Sequence, residues 1–178
     1  MVSETRKGGW IQTFTGGRIF PLDPREEEID IRDIAHSLSL QCRYNGHVPN
    51  FYSVAEHSVM LSHMVSSSNA LSALMHDASE AYLTDLPRPI KKYFVGYYDY
   101  ENTLMNVIAI KYGFTWPMPM QVAEYDTRIL NDEREQLMGK GEYEWDYYGE
   151  PLGVRIVGWE PERAEEEFIK RFKELTNA

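Results

Sequence analysis

Cysteine is almost absent: Cys42 is the only one in 178 residues. An intrachain disulfide and a cysteine-rich zinc site are excluded, and the sensible compartment is a reducing one. Positive charge is scarce as well, with 18 Lys and Arg against 28 Asp and Glu and a net charge of −10. Non-specific phosphate affinity comes from Lys and Arg, so broad binding to nucleic acid or to an anionic membrane is not expected. A small anionic ligand stays open only if cations are supplied locally, by a metal or by a few basic side chains. No apolar run approaches the ~18–20 residues that cross a bilayer, and Met1–Trp10 has no apolar core of signal-peptide length. The expectation is a soluble, cytoplasmic protein. Internal repeats, low-complexity tracts and Pro/Gly/Ser-rich linkers are lacking too, which leaves residues 1–178 as one domain.

What is present is an apolar fraction of 43%, enough for a core, and a heavy aromatic load of twelve Tyr and four Trp. Ile11–Thr15 and Arg18–Phe20 flank Gly16 and Gly17, the signature of a hairpin with a two-residue turn. Beyond it the periodicity turns helical. Asp30–Gln41 carries Ile31, Ile34, Ala35 and Leu38 at helical spacing. Ser53 with Glu56 forms a capping box for a helix to about Ser66. Asn69 caps a helix to about Leu83, and Pro87 and Pro89 then stop helical structure. Asp99–Tyr112 ends at Gly113, a segment opened by Pro117 or Pro119 runs to about Met138, and Glu160–Leu175 is the last amphipathic helix. The fold class is all-α with a small N-terminal β-hairpin.

Three of these helices direct a metal-type ligand inward. His57 shares its face with Val54, Leu61 and Met64; a core histidine with one hydrogen bond would read the same way. His76 and Asp77 sit in the apolar run Ala70–Tyr82. Asp126 lies among Val122, Ile129 and Leu130, with Glu133 further along; an ion pair with Arg128 or Arg134 is the alternative. An Asp is rarely buried without a partner or a metal. Two imidazoles and two carboxylates suit Zn, Mn, Fe, Co or Ni better than Ca. Glu80, four residues after His76, is placed as a general base or water positioner, or is an exposed helix residue. Asp85 is a second acidic candidate, or a turn former before the prolines.

The segments 53–58 (SVAEHS), 75–81 (MHDASEA), 84–91 (TDLPRPIK) and Tyr125-Asp126 resemble the HD-domain phosphohydrolases in residue type and order. The pair HDASE and DLP.P.K is similar to YfbR-type 5′-deoxynucleotidases and their shorter YfdR-like relatives. Trp10–Gly16 and Cys42–His47 resemble the short branch, which includes a phage dATP triphosphohydrolase. The resemblance covers about Trp10 to Leu137. It implies a compact helical bundle that binds one divalent ion through His57, His76, Asp77 and Asp126. Zn, Co or Mn is expected, with further ions arriving with a triphosphate. Glu80 would handle the attacking water, with Asp85 close to metal or water. Eighteen residues separate His57 from His76, fewer than in longer relatives.

The same resemblance makes Arg43 a phosphate contact. Lys91 could reach a polyphosphate tail and His47 could touch phosphate, while His36 and His63 read as structural or surface residues. Ile19 and Phe20, with Pro21 and Leu22, either stack on a purine or pack against the helices. Tyr143–Tyr148 is a subunit contact, a lid or a solvated loop. The expected activity is hydrolysis of dATP to deoxyadenosine and tripolyphosphate by a homo-oligomer. A 5′-nucleotidase acting on dNMPs and an inactive nucleotide-binding regulator are the alternatives.

Overall fold

Asp30 starts the first helix. Its carboxylate accepts the N–H of Arg32 at 2.8 Å, and α1 runs Ile31–Leu40 with Ile34, Ala35 and Leu38 buried. In this computed structural model, which describes residues 5–139, 141–143, 145 and 149–177, the all-α expectation holds. Helices α2 (Val54–Met64), α3 (Ala70–Leu74), α4 (Glu80–Leu83), α5 (Arg88–Lys91), α6 (Tyr97–Tyr112), α7 (Met120–Leu137) and α8 (Pro161–Thr176) follow a two-stranded hairpin. Of the expected loop Tyr143–Tyr148, residues 144 and 146–148 lie outside the described residues.

The hairpin is real but wider at its tip than expected. Strands β1 (Ile11–Gln12) and β2 (Arg18–Ile19) pair antiparallel with Ile11 opposite Ile19. Five residues connect them, because Thr13 takes part in the turn: its carbonyl accepts Gly16 N–H and its N–H donates to Gly17. Gly16, at φ 87°, supplies the left-handed position. Asp33 anchors the tip to α1 by accepting the Thr15 N–H at 2.7 Å and its hydroxyl at 3.0 Å.

Helix α8 packs on α1, α2 and α3. Its Ala164, Phe168 and Phe172 enter a core with Ile34, Leu38 and Leu74. Phe168 is fully buried. Phe168→Ala is expected to cost about 3–5 kcal/mol, the range for emptying an aromatic site in a packed core; urea denaturation measures it, and a cost under 1 kcal/mol would contradict this packing.

Helical periodicity predicts one helix from 70 to 83, yet the chain breaks into α3, a turn at 75–79, and α4. The Ala73 carbonyl, which a continuing helix would give to the N–H of Asp77, faces His76 Nδ1 at 2.8 Å. Downstream bonds shorten to three-residue spacing, with Ala78 N–H on Met75 and Glu80 N–H on Asp77. Asn69 makes no capping bond. Prolines 87 and 89 do not end helical structure but open α5, since a first-turn N–H needs no helical partner.

Ser53 caps α2 as expected, accepting the Glu56 N–H at 3.0 Å. The returning half of the box is diverted. The buried Glu56 carboxylate accepts the N–H groups of Val157 and Gly158 at 3.0 Å and of Trp159 at 2.6 Å. Buried Asp132 on α7 does the same for Leu152, Gly153 and Val154, at 2.7–3.0 Å. Residues 149–159, neither helix nor strand, are thus strapped across α7 and α2. Among the described residues, no helix is long and apolar enough to cross a membrane.

Candidate metal centre and its cleft

Helix α2 carries His57, the break after α3 carries His76 and Asp77, and α7 carries Asp126. One ligand atom each from His57, His76 and Asp126 falls within 4.8 Å of the others. Asp126 Oδ1 is 3.1 Å from His57 Nε2 and 3.6 Å from His76 Nε2. The rings of the two buried histidines lie 5.3 Å apart. Asp77 is adjacent but outside this mutually close set. Its Oδ2 is 3.1 Å from His76 Nε2 and 3.9 Å from Arg43 Nη1.

Both far nitrogens are spoken for. His57 Nδ1 is 2.7 Å from Glu133 Oε1, and His76 Nδ1 is 2.8 Å from the Ala73 carbonyl. These acceptors place the ring protons on Nδ1, as metal-ligating histidines are usually held, and turn the Nε2 lone pairs toward the Asp126 carboxylate. Lone pairs facing an anion in a buried site require a cation or a proton between them. His76 Nε2 is buried and makes no well-directed hydrogen bond. Two imidazole nitrogens and a carboxylate fit a divalent transition ion.

The charges agree with this demand. Burial works to lower the His76 pKa, but the Asp77 and Asp126 carboxylates override it and hold it well above the ordinary imidazole range. Burial works to raise Asp126; hydrogen bonds to His57 and His76 keep it well below the usual carboxylate range. Asp77 is lowered against burial by His76. Glu80 moves the other way. Burial, with Asp77 and Asp85 beside it, pushes Glu80 well up, and burial and Asp77 raise Asp85. Carboxyls raised in this manner are candidates for proton transfer near neutral pH.

The cluster opens into a cleft of about 610 Å³ whose lining includes Arg43, Glu80, Asp85, Arg88, Lys91 and Trp116. A wider groove of about 810 Å³ runs along α8, lined by Glu and Lys side chains with Ile169, and holds none of the ligand cluster. Of the expected site residues, Arg43, Glu80, Asp85 and Lys91 reach the cleft. Lys91 Nζ pairs with Glu101 at 2.7 Å. Ile19 does not reach it: the hairpin register turns this side chain into the core, fully buried. Phe20 lies under the Arg6 guanidinium at 4.3 Å, and neither it nor exposed His47 lines the cleft. His36 stacks on Phe14 and pairs with Glu165 at 2.8 Å.

Sequence reasoning named Glu133 and Arg88 but gave neither a role. Glu133 is fully buried and gathers His57 Nδ1, Tyr52 Oη at 2.9 Å, Arg43 Nη2 at 3.1 Å and the Tyr44 hydroxyl. Burial would raise it, but Arg43 and His57 hold it at about 2. Its signal was the spacing: seven residues past Asp126 is two turns, hence the same face of α7. Arg88, between two prolines, pairs with Asp126 Oδ2 at 2.6 Å. The turn that presents Arg43 is itself unusual, since Tyr44 and Asn45 take φ of 56° and 52°. Such conformations cost on the order of 1–3 kcal/mol and persist where surroundings enforce them; here the Tyr44 hydroxyl donates to Glu133.

No family model matches the chain. It is 36% identical over 170 residues to the uncharacterized protein YfdR of Escherichia coli (strain K12), across 94% of this chain and 96% of that protein. It is also 32% identical over 167 residues to an uncharacterized protein of Rhodobacter capsulatus, across 85% of each.

Proposed function

The chain belongs to the YfdR family, and from that premise we propose that it is a metal-dependent phosphohydrolase of the HD-domain type. Its substrate is a deoxynucleotide, dATP foremost, cut to deoxyadenosine and tripolyphosphate. The observation that carries this reading is the pair of Nε2 lone pairs turned onto the Asp126 carboxylate at the floor of a cleft. That cleft, at about 610 Å³, is in the size class of small-molecule sites. Zn, Co or Mn fits the donor set, with Asp77 at hand for a further ion brought by the triphosphate.

When bound, the ion supplies Lewis-acid chemistry at a phosphoryl oxygen and eases the deprotonation of water. The chain does the rest. Glu80 orients the attacking water and accepts its proton at the carboxylate. The water oxygen bonds to the α-phosphorus, the bond from phosphorus to O5′ breaks, and O5′ leaves as the hydroxyl of deoxyadenosine after taking up a proton. Asp85, which lines the cleft and is raised by burial, is the proton source in this reading. Basic side chains on the cleft walls offset the negative charge of the transition state.

Purified protein supplied with Mn²⁺ or Co²⁺ is expected to release deoxyadenosine and tripolyphosphate from dATP, followed by chromatography. Inorganic phosphate released from dAMP instead would favour the 5′-nucleotidase reading. Glu80→Gln is expected to lower kcat by about 10²–10⁴-fold, the usual contribution of a general base, while Mn²⁺ affinity stays within a few-fold. A metal-loaded protein inert across dNTPs, dNMPs and cyclic nucleotides would exclude the catalytic reading.

A further inference from the structure

Among the described residues, Arg43, Arg88 and Lys91 are the Arg and Lys side chains that line the cleft, and they are not equivalent. Arg43 is held mainly by Glu133, although its Nε is buried without a hydrogen-bond partner. Its side chain is 14% exposed, Nη2 holds Glu133 at 3.1 Å, and Nη1 faces Asp77 at 3.9 Å. Through Glu133 it braces His57. Lys91, also 14% exposed, is taken by Glu101 at 2.7 Å, with the rings of Tyr97 and Tyr98 at 5.3 and 5.6 Å.

Arg88 differs from both. Its side chain is 58% exposed, it projects from the one-turn helix α5, and its sole hydrogen bond among the described residues joins Nη2 to Asp126 Oδ2 at 2.6 Å. The other oxygen of that carboxylate faces the two histidines. One carboxylate therefore joins the ligand cluster on one side to a guanidinium on the other. A guanidinium has five N–H donors in a planar fork. With one edge on Asp126, the remaining donors are left for a tetrahedral anion drawn to the cluster.

We propose that Arg88 is the guanidinium that binds the substrate phosphate, and that Arg43, the residue expected in that role, is instead a positioning residue for His57. This rests on the phosphohydrolase reading. It specifies which cation meets the phosphoryl group and why: Arg88 is exposed at the cleft, keeps donors free and is fixed against the Asp126 carboxylate, whereas the Arg43 side chain is mostly buried and held on Glu133.

The test compares Arg88→Ala, Arg88→Lys and Arg43→Lys with the wild-type chain. Three quantities are measured: KM for dATP, the Kd of inorganic phosphate on Mn²⁺-loaded protein by calorimetry, and the Kd of Mn²⁺ itself. A charge-assisted pair to phosphate is worth about tenfold or more in affinity. Arg88→Ala is expected to raise both the KM and the phosphate Kd at least fivefold without weakening Mn²⁺ more than threefold. Arg88→Lys, which keeps the charge but loses the fork, falls between alanine and wild type. Arg43→Lys shows the opposite split, with Mn²⁺ weakened at least fivefold and phosphate on the loaded protein changed less than threefold.

Any smaller effect of Arg88→Ala on phosphate, or loss of Mn²⁺ binding in that variant, overturns the assignment. So does an Arg43→Lys variant that loses phosphate and keeps its metal. If the wild-type chain turns over no nucleotide but binds phosphate in an Arg88-dependent way, the hydrolytic reading fails and the assignment stands. If turnover is normal and Arg88→Ala is silent, the assignment alone fails. A wild-type chain with neither turnover nor phosphate binding overturns both.

Discussion

Asp126→Ala is expected to leave the chain without tight Mn²⁺ binding and, on the proposed phosphohydrolase reading, to cut dATP turnover at least ~10³-fold, since the ion would carry the Lewis-acid chemistry. Asp126 supplies the only anionic oxygen among the three mutually close ligand atoms. Without it, the mutually close set is reduced to two imidazole nitrogens, with Asp77 beside His76 the remaining carboxylate, and the buried site loses much of the charge that offsets a divalent cation. The fold should survive, because the carboxylate sits at the cleft rather than in the apolar core. Calorimetric Mn²⁺ titration with a thermal melt checks both halves. A variant that binds Mn²⁺ as the wild type does would remove Asp126 from the ligand set.

The second large effect is expected at Glu133. Glu133→Gln keeps the shape of the side chain and removes its charge beneath four donors. Breaking a buried, paired charge costs about 3–5 kcal/mol because the partner is left uncompensated; here that partner is Arg43. Loss of an outer-shell carboxylate on a ligand histidine also weakens metal binding, by about 10–100-fold. Acidity offers an independent reading. Glu133 titrates at about 2 against an ordinary 4.5, so the folded state favours its ionised form. The stabilisation is complete above about pH 4.5 and is lost as pH falls toward 2. Between those limits the wild-type chain should lose stability more steeply than Glu133→Gln in urea denaturation. Parallel profiles, or a stability loss under 1 kcal/mol, would show that the hub does not hold His57.

The helices were legible because their faces are periodic and their ends are marked: Asp30 and Ser53 at starts, Gly113 at a stop. The convergence of His57, His76 and Asp126 was legible from the apolar residues around each. What periodicity could not reveal was the interruption at 75–79. The residues there keep helical character, and only the side chain of His76, turned back onto Ala73, accompanies the break. The same limit applies to Glu133 and Arg88, whose importance lies in partners 76 and 38 residues away in the chain. Ile19 illustrates the reverse case. An apolar residue beside a turn reads as core more readily than as a ligand wall, and strand register decided for the core.

The strap at 149–159 hangs from Glu56 and Asp132, each next in sequence to a residue of the centre, His57 and Glu133. Its attachment is made by main-chain N–H groups that any residue except proline possesses. The grip on the strap is therefore independent of which side chains stand at Val154 and Val157. Freedom to change falls on outward side chains such as Val157, which is 57% exposed, while Gly153 and Gly158 are held by their positive φ and Leu152 and Trp159 by packing, so tailoring of the surface is separated from upkeep of the metal-ligand cluster.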